Sequence, residues 1–303
     1  MTQTFREKWL ESVERRHSVL CAGLDPAEFE MGRDNKGLPD QAVLPREGKI
    51  NKIDWAHDYI DAVAPFVASI KPNSKYWKGK DDIKGLKQLV SHAHKLGLVA
   101  IDDYKLADLN DTNEAGIYFD KEIGFDALTI APYAGNMEGT AMLCKKYDIG
   151  SITMCLMSNP EYKREKTMLV RVPSGEERNF LQEDIVLVQG VSYVERYRFL
   201  AHDANLFGLD GIVIGAPSSD NHITDEELGN VRRYVDDNML VLCPGVGEQG
   251  GEAQALWKHF GRNNVIVNAG RALMFPKGSY STVLAQKNAA KHHRDMLNEK
   301  RAA

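Results

Sequence analysis

Short apolar runs rich in valine, isoleucine and leucine recur eight times along this chain, most of them followed by a stretch with helical spacing. They occupy residues 19–25, 68–73, 98–105, 127–132, 151–157, 211–217, 239–246 and 265–272. The clearest helical segments are 83–96, 136–147, 193–207, 224–235 and 279–301. Continuous apolar strands suit a parallel sheet covered on both faces, and regular strand–helix alternation is the pattern of βαβ units. A length of 303 residues admits one large domain or two small ones. Eight repeats over that length favour an α/β chain closed as a (β/α)8 TIM barrel, one domain spanning 1–303. An N-terminal helix and insertions after strands 1 and 5 complete the expected architecture.

Two connections break the rhythm. Residues 26–52 follow the first run and are rich in glycine, proline and charge; the segment after the fifth run, 159–190, is long for a barrel connection. Within the latter, apolar stretches at 168–172 and 185–188 flank a Pro173-Ser174-Gly175 turn and are expected to pair as a small hairpin lid.

With 43% hydrophobic and 27% charged residues, the chain can bury a full core. No stretch approaches the ~20 continuous apolar residues of a membrane helix. The first residues mix Arg6, Glu7, Lys8 and Glu11 with apolar positions, unlike a secretory signal, so a cytoplasmic enzyme without membrane contact is expected. Cys21, Cys144, Cys155 and Cys243 lack C-x-x-C spacing and read as reduced, mostly buried thiols, with no metal site implied. The nine histidines show no ligand spacing that can be placed at the strand ends. A formal charge of −5 argues against nucleic acid as a partner, while local basic clusters could hold a small anion.

In a parallel barrel the active site lies on the loops after the strands. Those ends carry Asp25, Lys71, Asp103-Tyr104-Lys105, Met157-Ser158-Asn159-Pro160, Pro244-Gly245-Val246-Gly247 and Gly270-Arg271. Alternation sends Asp103 and Lys105 to one side of the third strand, toward the mouth, where Lys71 of the second strand also points. Such a cluster reads either as a structural salt-bridge network or as a site, and its position on the catalytic side favours the site. The glycine-rich run 244–251, a helix expected to start near Glu252, and Arg271 form a phosphate-binding pattern after strands seven and eight.

Together these motifs resemble the orotidine 5′-monophosphate decarboxylase family. Asp103-Tyr104-Lys105-Leu106-Ala107-Asp108-Leu109-Asn110-Asp111-Thr112 is similar to the family's D-x-K-x-x-D-I-x-x-T signature, and residues 244–251 are similar to its phosphate loop. Asp25, Lys71, Met157-Ser158 and Gly270-Arg271 fall in family order, so the resemblance runs from the first strand to the eighth. Leu109, Asp111 and Lys75-Tyr76-Trp77-Lys78 depart from the usual pattern, but not at the charged positions.

The resemblance implies cofactor-free conversion of orotidine 5′-monophosphate to UMP and CO2 in pyrimidine biosynthesis, with Lys71, Asp103, Lys105 and Asp108 as the catalytic network. It implies that Lys105 protonates the C6 carbanion. Asp25 and Lys71 hold the ribose, Ser158 reads the pyrimidine, and Gln249, Gly270 and Arg271 bind the phosphate. It further implies a homodimer with composite sites, Asp108 and Thr112 reaching the partner's substrate, although both follow Lys105 closely enough to serve their own site. Two other readings stay open: a magnesium-dependent sugar-phosphate lyase of the same suprafamily, and a barrel that binds a nucleotide or sugar phosphate without turnover.

Overall fold

The computed structural model describes residues 3–28, 43–45, 50–245, 253–279 and 281–302. Eight parallel strands close into a barrel: β1 (Leu20–Leu24), β2 (Ser69–Pro72), β3 (Val99–Leu106), β4 (Ala127–Ile130), β5 (Gly150–Leu156), β6 (Gly211–Ile214), β7 (Leu240–Cys243) and β8 (Val265–Ala269). Each pairs with its sequence neighbours, and β1 closes on β8 with Ala22 opposite Ala269. β1, β2, β4, β5, β6 and β7 are buried at every residue, as continuous apolar strands covered on both faces must be.

The eight longer helices are α1 (Phe5–Arg16), α2 (Lys52–Val63), α3 (Asp82–Lys95), α4 (Asn110–Ile123), α5 (Met137–Lys146), α6 (Arg196–Leu206), α7 (Asp225–Arg232) and α8 (Val283–Ala302). Their starts are chemically marked: the Asn51 side chain caps α2, and Thr4 with Glu7 and Thr224 with Glu227 form capping boxes on α1 and α7. The expected N-terminal helix, α1, crosses the end of the barrel opposite the mouth. Fully buried Trp9 donates to the carbonyl of Asn263 just before β8, Ser12 donates to that of Ala68 just before β2, and Lys8 pairs with Asp126 just before β4.

Two expectations need correction. The stretches expected to pair as a hairpin do not meet: Leu169–Arg171 and Val186–Val188 flank a central strand, Val191–Glu195, in a three-stranded antiparallel sheet. Tyr193 therefore lies in a strand, and the helix expected from 193 begins at Arg196. The turn that makes this possible is Gln189-Gly190, both with positive φ, which is the geometry a two-residue hairpin loop needs. Likewise, the helix expected near Glu252 is a single turn, Gln254–Trp257, which offers little dipole.

Between β3 and α4 lies a buried acid pair. Asp102 is fully buried and its Oδ1 accepts from Ser74 N (3.3 Å), while Asp120 of α4 is 5% exposed. Among the described residues the Oδ2 atom of each has no donor but the other's carboxyl. Burial, and then the neighbouring Asp102, hold the Asp120 carboxyl well above its usual range, which favours its protonated form beside Asp102.

The folded chain thus binds a proton that the unfolded chain releases above the ordinary carboxylate range. Stability falls as pH rises through that window toward the raised folded value. Asp120→Asn, whose amide can donate to Asp102 without ionising, is expected to raise the melting temperature by a few degrees at pH 8. Its melting temperature should also change less than that of the wild type between pH 5 and pH 8.

Candidate active site

The mouth of the barrel is organised around one carboxylate. Lys71, in β2 and only 3% exposed, donates to Asp103 Oδ2, and Lys105 donates to Asp103 Oδ1. Burial by itself would raise the Asp103 carboxyl, but the two ammonium groups outweigh it and hold the acid well below the usual carboxylate range. Burial would lower Lys71; Asp103 and then Asp25 reverse that effect and raise it above its ordinary value. Lys71 and Asp103 are therefore ionised at neutral pH although both are largely withdrawn from water.

Lys105 reaches Asp103 by an irregular route. Pairing between β3 and β4 shifts register between Asp102 and Leu106, and Lys105 has φ +54°, a left-handed conformation uncommon outside glycine. Its N–H leaves the ladder and donates to Thr129 Oγ1 of β4 (2.9 Å), which also lies 3.4 Å from Asp103 Oδ1. Thr129 was not among the residues expected from sequence. Its only signal there was a polar side chain near the end of an otherwise apolar run.

A cavity of about 250 Å³ opens beside the array. Lys71, Asp103, Lys105 and Thr129 form its charged side; Met154, Met157, Val213 and Leu242 line the apolar side, with Ser158, Asn159 and Pro244 at the strand ends. Ser158 is seated against Gly215, where an added Cβ would lie 2.8 Å from the Ser158 nitrogen. A flat, partly apolar group with one charged edge fits such a space.

Asp25 follows β1 and accounts for part of the charge acting on Lys71. Gly270 and Arg271 follow β8, with Arg271 exposed at the start of the single helical turn Arg271–Met274. Here β1 and β8 approach so closely that a Cβ on Gly23 would stand 2.9 Å from Gly270 Cα. Gln249 lies outside the described residues. Asp108 and Thr112 do not line the cavity: both are exposed, on the segment that leaves the mouth and starts α4. Asn113 of α4 and Asn136, just before α5, donate to the Asp108 carbonyl, and the Asp108 carboxylate accepts from Leu109 N (2.8 Å).

Residues 18–278 match the family described as orotidine 5′-phosphate decarboxylase / HUMPS family. The chain belongs to this family. An orotidine 5′-phosphate decarboxylase of Cupriavidus metallidurans is 30% identical over 306 residues, covering 98% of this chain and 99% of the relative. The solved Leishmania donovani OMP decarboxylase shares the fold, with TM-score 0.70 at 19% identity over 99% of this chain and all of that one. So does an orotidine 5′-monophosphate decarboxylase from Methanocaldococcus jannaschii complexed with the inhibitor BMP, with TM-score 0.62 at 19% identity over 92% of this chain and 98% of that one.

Removing one partner of a buried ion pair leaves the other charge undersolvated. Lys71→Met is accordingly expected to destabilise the family barrel by about 3 kcal/mol at pH 7 in denaturant titrations. Because the folded Asp103 carboxyl is depressed, its contribution is complete above the unfolded carboxylate value of about 3.9 and is lost as pH falls toward the folded value. The gap between variant and wild type should narrow below pH 4.

Proposed function

We propose that this chain decarboxylates orotidine 5′-monophosphate to UMP in pyrimidine biosynthesis, with its own charged side chains as the only catalytic groups. The observation that carries the reading is an ionised Asp103 held between Lys71 and Lys105 on one side of a cavity that is otherwise largely apolar. Its position in the family and the names of its relatives point to the same reaction.

The substrate's carboxylate would lie against Asp103, where repulsion raises the bound ground state and is relieved as CO2 leaves. Electron density left at C6 would face Lys105. A cation aimed at charge that grows only in the transition state lowers the barrier, and the same ammonium can then deliver the proton. Binding energy from the remote phosphate, held by Gln249, Gly270 and Arg271, would offset this repulsion. Asp25 with Lys71 would take the ribose hydroxyls, and Ser158 the pyrimidine edge.

Asp108 and Thr112 would complete the network across a homodimer. Their exposure supports this, as does neighbouring Leu109, an apolar side chain 51% exposed beside a charged loop. Each subunit would present the same patch to its copy about a two-fold axis. Among the described residues no helix is long and apolar enough to cross a membrane.

Purified protein is expected to deplete the absorbance of orotidine 5′-monophosphate equally with and without EDTA. Loss of turnover in EDTA would instead favour the magnesium-dependent sugar-phosphate lyase, and tight binding of UMP without any turnover would favour a non-catalytic barrel. Lys105→Ala is expected to lower kcat by roughly a thousandfold or more. Mixing inactive Lys105→Ala with inactive Asp108→Ala subunits should restore part of the activity after subunit exchange, because one site of each heterodimer then carries neither defect. No recovery despite demonstrated exchange would place Asp108 in its own subunit's site.

A further inference from the structure

The end of the barrel opposite the mouth carries a second cluster that the reaction does not use. His57 and Asp61 lie four residues apart on α2 and so share one side of that helix. His92, from the last turn of α3, meets them. Its Nε2 lies 2.7 Å from Asp61 Oδ1, and His57 Nδ1 lies 3.9 Å from Asp61 Oδ2. The two imidazole rings face each other with centroids 3.8 Å apart and planes tilted by 34°. Two tilted rings from separate helices thus meet beside one carboxylate, and the three donor atoms all fall within 4.8 Å of one another.

We propose that His57, Asp61 and His92 form a binding site for a borderline transition-metal ion such as Zn2+, with water in the remaining position. Imidazole and carboxylate donors select this class over Mg2+ or Ca2+, which prefer shells of oxygen. Tetrahedral zinc with bonds of ~2.0–2.1 Å sets its ligand atoms roughly 3.3–3.4 Å apart, and the two His–Asp61 separations, 2.7 and 3.9 Å, lie on either side of that value. Side-chain rotations that open the 2.7 Å contact, close the 3.9 Å one and part the two rings from their 3.8 Å approach bring the donors to that spacing. The setting favours a cation in a second way. His92 sits in the last turn of α3 and Asp61 near the end of α2, so the partial negative charges of two helix C-termini converge on the site.

The ion would clamp α2 to α3 at the end where the strands begin, away from Lys71, Asp103 and Lys105. Its consequence is stability and not turnover, since it binds the folded arrangement and the unfolded chain holds these three residues apart.

The test uses the full chain, stripped of metal with a chelator and dialysed, then titrated with zinc chloride by calorimetry. One equivalent is expected to bind, and His57→Gln, Asp61→Asn and His92→Gln are each expected to weaken that binding at least tenfold. Zinc should raise the melting temperature of the wild type and leave that of a His57→Gln/His92→Gln double variant unmoved. The double variant is expected to remain folded, because both side chains are partly exposed, and its metal-free melting temperature and circular dichroism check this. Equal zinc affinity in the wild type and the double variant would overturn the proposal. So would loss of binding in a His292→Gln/His293→Gln control that leaves the cluster intact, since that adjacent pair on α8 is the competing imidazole source.

Discussion

The ion triplet Lys71–Asp103–Lys105 is the constraint around which the mouth of this barrel is built. A carboxylate withdrawn from water is costly unless opposite charge meets it at contact distance, and here two ammonium groups meet its two oxygens separately. That division ties β2 to β3 on one side and fixes Lys105 on the other. It leaves the cavity with one charged wall whose geometry exists before any ligand arrives. Preorganisation of this kind is the part of catalysis that a folded scaffold can supply in advance.

The triplet makes demands on the backbone. Lys105 occupies a left-handed conformation at a register shift, a state that costs of order 1–3 kcal/mol and persists only where surroundings enforce it. The enforcement is visible in Thr129, which takes the displaced N–H, and in Leu106, which returns to the core immediately after. Just behind the same strand, Asp102 and Asp120 form a buried pair in the core whose carboxyls burial holds above their usual range. β3 therefore bears an ion network toward the mouth and a buried acid pair toward the helices. Alternation of side chains keeps these two systems on opposite faces of one strand.

Elements with a strong period were legible in the sequence because burial on both faces leaves little choice of residue. All eight strands and the five clearest helices appear where the apolar runs and helical spacing put them, with ends differing by a few residues. The added antiparallel sheet was misread because its strands are short and its two outer ones mostly exposed, so no period distinguishes their partners. Its decisive turn, Gln189-Gly190, lacks the asparagine or aspartate that announces such loops. Of the candidate site, Lys71, Asp103, Lys105 and Ser158 were legible because charge and polarity at the end of an apolar strand are conspicuous. Thr129 was not, since a single threonine in a strand is ordinary until its neighbours are known.

By itself the sequence determined the eightfold alternation, the end of the barrel that carries the charges, and the family signature from Asp103 to Thr112. These follow from local order along the chain, where period and spacing act between near neighbours. Only tertiary structure decided that Asp103 is shared by two lysines, that Asp108 and Thr112 stay outside their own cavity, and that Asp102 meets Asp120. The meeting of His57 and Asp61 with His92 belongs in the same class. Each depends on the register of strands or the packing of helices distant in sequence, and a shift of one residue or one turn would send the same side chains elsewhere.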